Sequence, residues 1–189
     1  MDEEAGRRGR KRAQTRHRIN EAALRLFVSR GYDSVTVADV AEEADIALTT
    51  LFAHFPEGKQ SLVFGSGEDR AAALSRAIVD RPDDQDVLDA AEAFIGQRGP
   101  AALPGSHSGD LVELIRATPA LIDYARRRWV DCESALAETL RSEVDFDSPL
   151  AARSLARFIL EAPQIAGATS EPGRALTEIF DHLRRGWIA

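Results

Sequence analysis

Catalysis or metal binding in this chain would have to be assembled from very few residues. The four histidines, His17, His54, His107 and His182, are scattered, and no two stand at a metal-ligand spacing. Cys132 is the single cysteine, so zinc finds no second thiolate and no intramolecular disulfide forms. Ser106, His107 and Asp110 lie close in the chain, but chain proximity is not triad geometry. There is no glycine-rich nucleotide loop and no nucleophile elbow. These absences predict a protein that is not an enzyme and that takes no metal and no cofactor. The chemistry the chain does carry is recognition of phosphate. Arg7, Arg8, Arg10, Lys11, Arg12, Arg16 and Arg18 fall in one stretch with no acid among them.

Those charges need an element that brings them to a nucleic acid in register. Residues 36–55, TVADVAEEADIALTTLFAHF, read as two short helices joined by a tight turn. Thr36 is placed as the N-cap of the first, with Asp39 closing a carboxylate form of the capping box and Val35 and Val40 as its hydrophobic staple. Val37, Val40, Ala41 and Ala44 then give one apolar stripe. Asp45 is of a type that tolerates the left-handed backbone a sharp turn demands. The second helix, from Leu48 to Phe55, turns Leu51, Phe52 and Phe55 inward. Two short helices at this spacing are those of a helix-turn-helix. Upstream, Ile19, Ala22, Ala23, Leu26 and Phe27 line a preceding helix that Gly31 caps, which closes a three-helix core.

The bulk numbers agree once charge is read by position. The net charge of −7 argues against nucleic acid. Yet residues 1–64 carry ten Lys/Arg against ten Asp/Glu, whereas residues 65–189 carry fourteen against twenty-one. A basic arm on an acidic body touches phosphate at one end only. Residues 1–12, without apolar periodicity, are expected to be a disordered basic arm. A single cysteine, no apolar run near the roughly 18 residues needed to cross a bilayer, and no signal-peptide apolar segment at the start predict a cytoplasmic protein without a membrane partner.

The run RINEAALRLFVSRGYDSVTVADVAEEADIALTTLFAHFPEGKQSLV resembles the DNA-binding domain of the TetR family of bacterial transcriptional regulators. The resemblance is carried by Ile19, Ala22, Ala23 and Phe27, the Gly31-Tyr32 ending, Thr36, the Val40-Ala41 pair, and Thr50-Leu51-Phe52-x-His54-Phe55 followed by Lys59. It implies an all-α fold of about nine helices, an N-terminal three-helix DNA-binding domain plus a C-terminal helical ligand-binding and dimerisation domain. It also implies phosphate or groove contacts from Thr36, Thr50, His54 and Lys59, joined by Arg16 of the basic arm. Base reading then falls to Leu48, Thr49 and Thr50; threonine bonds several base edges, and an apolar Leu or a Thr methyl suits the methyl of thymine. Thr36 caps its helix with or without DNA, and His54, near the end of an apolar face, equally fits a structural role. The sequence departs from the family where Asp45 and Thr49 replace Gly, where Ala47 removes a capping hydroxyl, and where Phe52 replaces Tyr.

The domains divide as 1–12 arm, 13–60 DNA-binding, 61–81 connecting helix and 82–189 ligand-binding and dimerisation. Gly65-Ser66-Gly67 interrupts the connecting helix and fits either a hinge or a tolerated irregularity. Asp83 or Asp84 is the expected cap of the next helix, and residues 96–109 are loop-rich. A short helix over 110–117 precedes a long one that Thr118-Pro119 starts and that runs to Val144. Arg126-Arg127-Arg128 reads as a solvated face. Ser148-Pro149 starts a helix that Pro163 should kink, and Ser170 opens the last. Phe94, Leu114, Tyr124, Trp129 and Phe158 are the pocket candidates, with Arg128 to anchor an anionic group; plain core is the alternative for each. Leu155, Phe158, Ile159, Ala162, Ile165, Leu176, Ile179, Phe180 and Leu183 make stripes suited to a two-fold dimer, or else to burial within one chain.

The combined expectation is a ligand-responsive transcriptional regulator, a homodimer on a palindromic double-stranded DNA operator, repressing until a small-molecule effector releases it. The alternative is a helical protein-interaction module that keeps the helix-turn-helix shape without specific DNA binding.

Overall fold

Helix formation begins inside the basic stretch. Residues 2–18 are mostly Ala, Arg, Lys, Gln and Glu, which lose least on entering a helix, and α1 runs from Asp2 to Arg30. The arm expected to be disordered over 1–12 is therefore helical from residue 2. Lack of apolar periodicity does not by itself keep a segment from coiling. The computed structural model describes residues 2–64, 70–98 and 108–187, and among them eleven helical segments and no strand. The chain divides into two compact units, residues 1–67 with 113–121, and residues 68–112 with 122–189.

In the N-terminal unit α1 packs on α2, Val37–Glu43, and on α4, Ser61–Phe64, while α2 meets α3, Leu48–His54. Ile19, Ala22, Ala23, Leu26 and Phe27 are all buried, as their spacing predicts. α1 stops at Gly31, whose φ of 82° needs no Cβ clearance and whose N–H bonds the Phe27 carbonyl at 3.0 Å. Two side chains of α1 secure the other helices. Arg18 Nη2 donates to the Ala44 carbonyl at 2.7 Å, placing a cation at the C-terminal end of α2, and Asn20 Nδ2 donates to the Leu62 carbonyl at 2.6 Å.

The C-terminal unit is built on α5, Arg70–Val79, α6, Val87–Gly96, α9, Glu133–Glu143, α10, Pro149–Gly167, and α11, Pro172–Trp187. α7, Ser108–Ala117, and α8, Pro119–Val130, precede α9. Leu74, Ile78, Leu88, Ile95, Leu136 and Phe180 are among its fully buried side chains. Gly65-Ser66-Gly67 lies outside the described residues, which resume at Arg70 with α5.

Several boundaries differ from expectation for local reasons. α6 is capped by Asp86, not Asp83 or Asp84; Asp86 Oδ1 accepts from the Asp89 N–H at 2.7 Å in a second capping box. The single helix expected from Pro119 to Val144 is two, because the Cys132 N–H turns to the Trp129 carbonyl, three residues back, at 3.0 Å. Ser148 and Pro149 start α10 as predicted, with Ser148 Oγ accepting from the Ala151 N–H at 3.2 Å, and α10 continues through Pro163. The last helix opens at Pro172, two residues after Ser170. Arg184 ties α11 to α6, with Nη2 at 2.6 Å from Asp89 and 2.7 Å from Glu92.

Candidate nucleic-acid interface

The reading element is set up by its caps. The Asp39 N–H donates to Thr36 Oγ1 at 3.1 Å, and Asp39 Oδ2 accepts from the Thr36 N–H at 2.6 Å. The Thr36 hydroxyl holds the Asp39 carboxyl below the usual carboxylate range, the Thr36 N–H adding to it. The unfolded chain therefore binds more protons in acid, so this contribution to stability is complete above the ordinary Asp value and fades as pH falls through the folded one. We expect Thr36→Ala to cost about 1 kcal/mol at neutral pH. In thermal melts the gap between wild type and variant should narrow toward pH ~3; a gap independent of pH would contradict the cap's electrostatic part.

α2 closes in a Schellman turn. The Ile46 N–H bonds the Ala41 carbonyl and the Asp45 N–H the Glu42 carbonyl, both at 3.0 Å. The position that usually takes glycine holds Asp45 at φ 51°, the one non-glycine residue with positive φ among those described. α3 then starts at Ala47, which supplies no side-chain cap. Leu51 and Phe55 are fully buried beneath it, while Leu48, Thr49, Phe52 and Ala53 face outward and Thr50 is half-buried. Phe52, expected on the inward face with Leu51 and Phe55, instead shares the outer face with Leu48 at 43% exposure.

Beside the end of α3 lies a groove of about 490 Å³ lined by Lys11, Arg12 and Thr15 of α1 and by Ala53 and His54. His54 Nδ1 is buried and has no hydrogen-bond partner. Burial, and then the Arg12 and Arg16 guanidiniums, push the His54 ring below its ordinary pKa, so it is held neutral beside two cations. The Arg16 guanidinium stands 4.8 Å from the centroid of the Phe55 ring. A neutral imidazole with a vacant ring nitrogen, rimmed by Lys11 and Arg12, suits an incoming anion.

Lys59 is placed differently from expectation. Its ammonium donates to the Tyr32 carbonyl and lies 4.1 Å from the Tyr32 ring centroid and 5.7 Å from that of Phe27. Burial lowers its pKa against the opposing pull of Asp33 and Asp39. It fastens the N-terminal unit instead of standing out as a point charge. Lys11 and Arg12, counted in the sequence only as part of the arm, take the groove positions; the helical spacing of Lys11, Arg12 and Thr15 was the available signal.

Of the pocket candidates, Phe94 and Trp129 belong to one buried cluster. Phe94 borders a groove of about 440 Å³ whose floor includes Ala73, Ala77 and Ala90 and whose rim includes Arg76 and Arg98. The Arg98 guanidinium lies 3.7 Å from the Phe94 ring centroid. Tyr124 and Trp129 are buried, Leu114 is half-buried, and Phe158 is 51% exposed on α10 and lines no interior. Arg128 departs from a solvated run: its Nη1 is buried without a hydrogen-bond partner, whereas Arg126 pairs with Glu161 at 3.0 Å. Of the dimer candidates, Leu155, Ile159, Ala162, Leu176 and Phe180 are buried inside their own unit, and Ile179 and Leu183 pack against the same core. Phe158 and Ile165 remain exposed, the latter at 56%. No group of three or more His, Cys, Asp or Glu among the described residues could hold a metal, and no helix among them is long and apolar enough to cross a membrane.

Residues 19–64 match the family model described as bacterial regulatory proteins, tetR family. This segment, residues 19–64, belongs to the TetR family. It is the helix-turn-helix segment of a bacterial regulatory protein. Over 151 residues the chain is 29% identical to the HTH-type transcriptional regulator TcmR of Streptomyces glaucescens, which aligns 75% of this chain with 66% of TcmR. Over 66 residues it is 36% identical to the regulator MftR of Mycobacterium tuberculosis, covering 35% of this chain and 33% of MftR. Among solved structures, Salmonella enterica GusR superposes with a TM-score of 0.54 at 18% identity, over 93% of this chain and 96% of GusR, a likeness of fold. α3 lies within the matched segment, and Leu48, Thr49, Phe52 and Ala53 are the side chains on its open face.

Proposed function

We propose that this chain is a TetR-family regulator that binds a palindromic operator as a homodimer and represses until a small-molecule effector releases it. The observation that carries the DNA reading is the outward face of α3 lying beside a groove rimmed by Lys11 and Arg12, with His54 Nδ1 buried and unpartnered in it. A backbone phosphate in that groove satisfies His54, and α3 enters the major groove with Thr49 and Thr50 toward base edges. Arg16, whose guanidinium acts on His54, flanks the same surface. Each half-site then gets modest direct readout, and two copies related by a dyad combine their affinities. Exposed Phe158 and Ile165 on α10 are the surface we assign to the second copy.

The effector acts by preferring one of two states of the protein, and a differential affinity of about 1–3 kcal/mol suffices for a useful switch. The Phe94 groove and the buried Arg128 Nη1 are the features of the C-terminal unit suited to an anionic or hydrogen-bond-accepting ligand.

Replacing Thr49 and Thr50 together with alanine should weaken binding to a selected operator and narrow its margin over a scrambled duplex in competition titrations. The sedimentation coefficient and melting temperature should stay as in wild type. Unchanged operator affinity in that variant defeats the assignment of α3.

A further inference from the structure

The outward face of α3 is poor in groups that read bases by hydrogen bonding. Of Leu48, Thr49, Phe52 and Ala53, only Thr49 can donate or accept. No Arg, Asn, Gln, Asp or Glu stands on that face, so the bidentate pairings that fix guanine, adenine or cytosine are absent from it. Leu48 is 41% and Phe52 43% exposed, and at a spacing of four they share one side of the helix. The core does not call for them, since Leu51 and Phe55 already fill the inward face. Next to this apolar strip, Ala53 borders the groove that Lys11 and Arg12 rim, so the strip lies where a polyanion is drawn in. The apolar group that a base pair presents in the major groove is the C5-methyl of thymine.

We propose that Leu48 and Phe52 read two thymine methyl groups in each operator half-site. This rests on the operator-binding reading above and adds the base it selects. Four residues of helix rise about 6 Å and successive base pairs about 3.4 Å, so the two methyls lie about two steps apart, on either strand. Phe52 is then a specificity residue; lacking the hydroxyl of tyrosine, it makes no hydrogen bond to phosphate and gives its ring edge to the base.

The test uses the full chain and a duplex selected by it from a random pool. Each thymine of that duplex is replaced in turn by deoxyuridine, which removes the C5-methyl alone. Two positions per half-site should each lose about fourfold in affinity, the worth of one buried methyl. The loss at one position should vanish in Leu48→Ala and at the other in Phe52→Ala, with the melting temperature of both variants unchanged because both side chains are exposed. Tolerance of deoxyuridine everywhere, or a penalty that persists in both variants, overturns the inference while leaving operator binding in place. Alanine variants that bind the duplex as well as wild type would give the apolar strip to a protein partner or a second copy. Failure to select any sequence would sink the operator reading and this inference together.

Discussion

Phe27→Ala is expected to unfold the N-terminal unit and with it abolish operator binding. The ring is fully buried, packs on Tyr32 with centroids 5.1 Å apart at 51°, and has the Lys59 ammonium 5.7 Å from its centroid. Truncating such a phenylalanine costs about 3–5 kcal/mol, through lost burial and the cavity left behind. A domain holds only about 5–15 kcal/mol in all, and α2 and α3, seven residues each, are too short to persist without the helix they pack on. Circular dichroism should show an early loss of helix while the C-terminal unit melts later. Phe158→Ala is the control: at 51% exposure its change in melting temperature should be small. Equal effects of the two substitutions would contradict the core described here.

The second large effect is electrostatic. Lys11→Ala combined with Arg12→Ala should weaken binding to every duplex, specific or not, by one to two orders of magnitude at low salt, and lower the slope of log affinity against log salt by about 2 per protomer. Both side chains are exposed, so stability should not move. The same groove predicts a pH dependence. His54 is held below its ordinary pKa in the free protein, by burial first. A phosphate entering the groove favours the charged ring and raises that value, so binding takes up a proton and affinity rises as pH falls through about 6.5. His54→Gln should flatten the profile. A wild-type affinity independent of pH between about 5.5 and 8 would remove His54 from the interface.

What the sequence disclosed and what it hid divide by range. The Thr36 and Asp39 capping box, the left-handed Asp45, the missing cap at Ala47 and the Gly31 stop are interactions within a few residues, and each stands where its local chemistry put it. Lys59 turns inward because the Tyr32 carbonyl, 27 residues away, is brought beside it. Arg18 leaves the phosphate arm for the Ala44 carbonyl over a separation of 26. Neither partner is visible in a pattern of charges. The phase of a stripe is likewise tertiary: Leu155 and Ile159 turn into the core while Phe158 and Ile165 turn out, although all four belong to one apolar pattern. The turn at Cys132 carries no glycine or proline to announce it. Three acids compete to cap α6, and the geometry of its first turn selects Asp86.

The most direct measurement is selection of duplexes from a random pool by the full chain, followed by titration of the enriched sequence and a scrambled control at about 50 and about 200 mM salt. The account predicts an enriched palindrome with half-sites about one helical turn apart, bound far more tightly than the control, with affinity falling steeply as salt rises. A pool that yields no enriched sequence, or binding that ignores salt, would contradict it and assign the helix-turn-helix to contacts with protein.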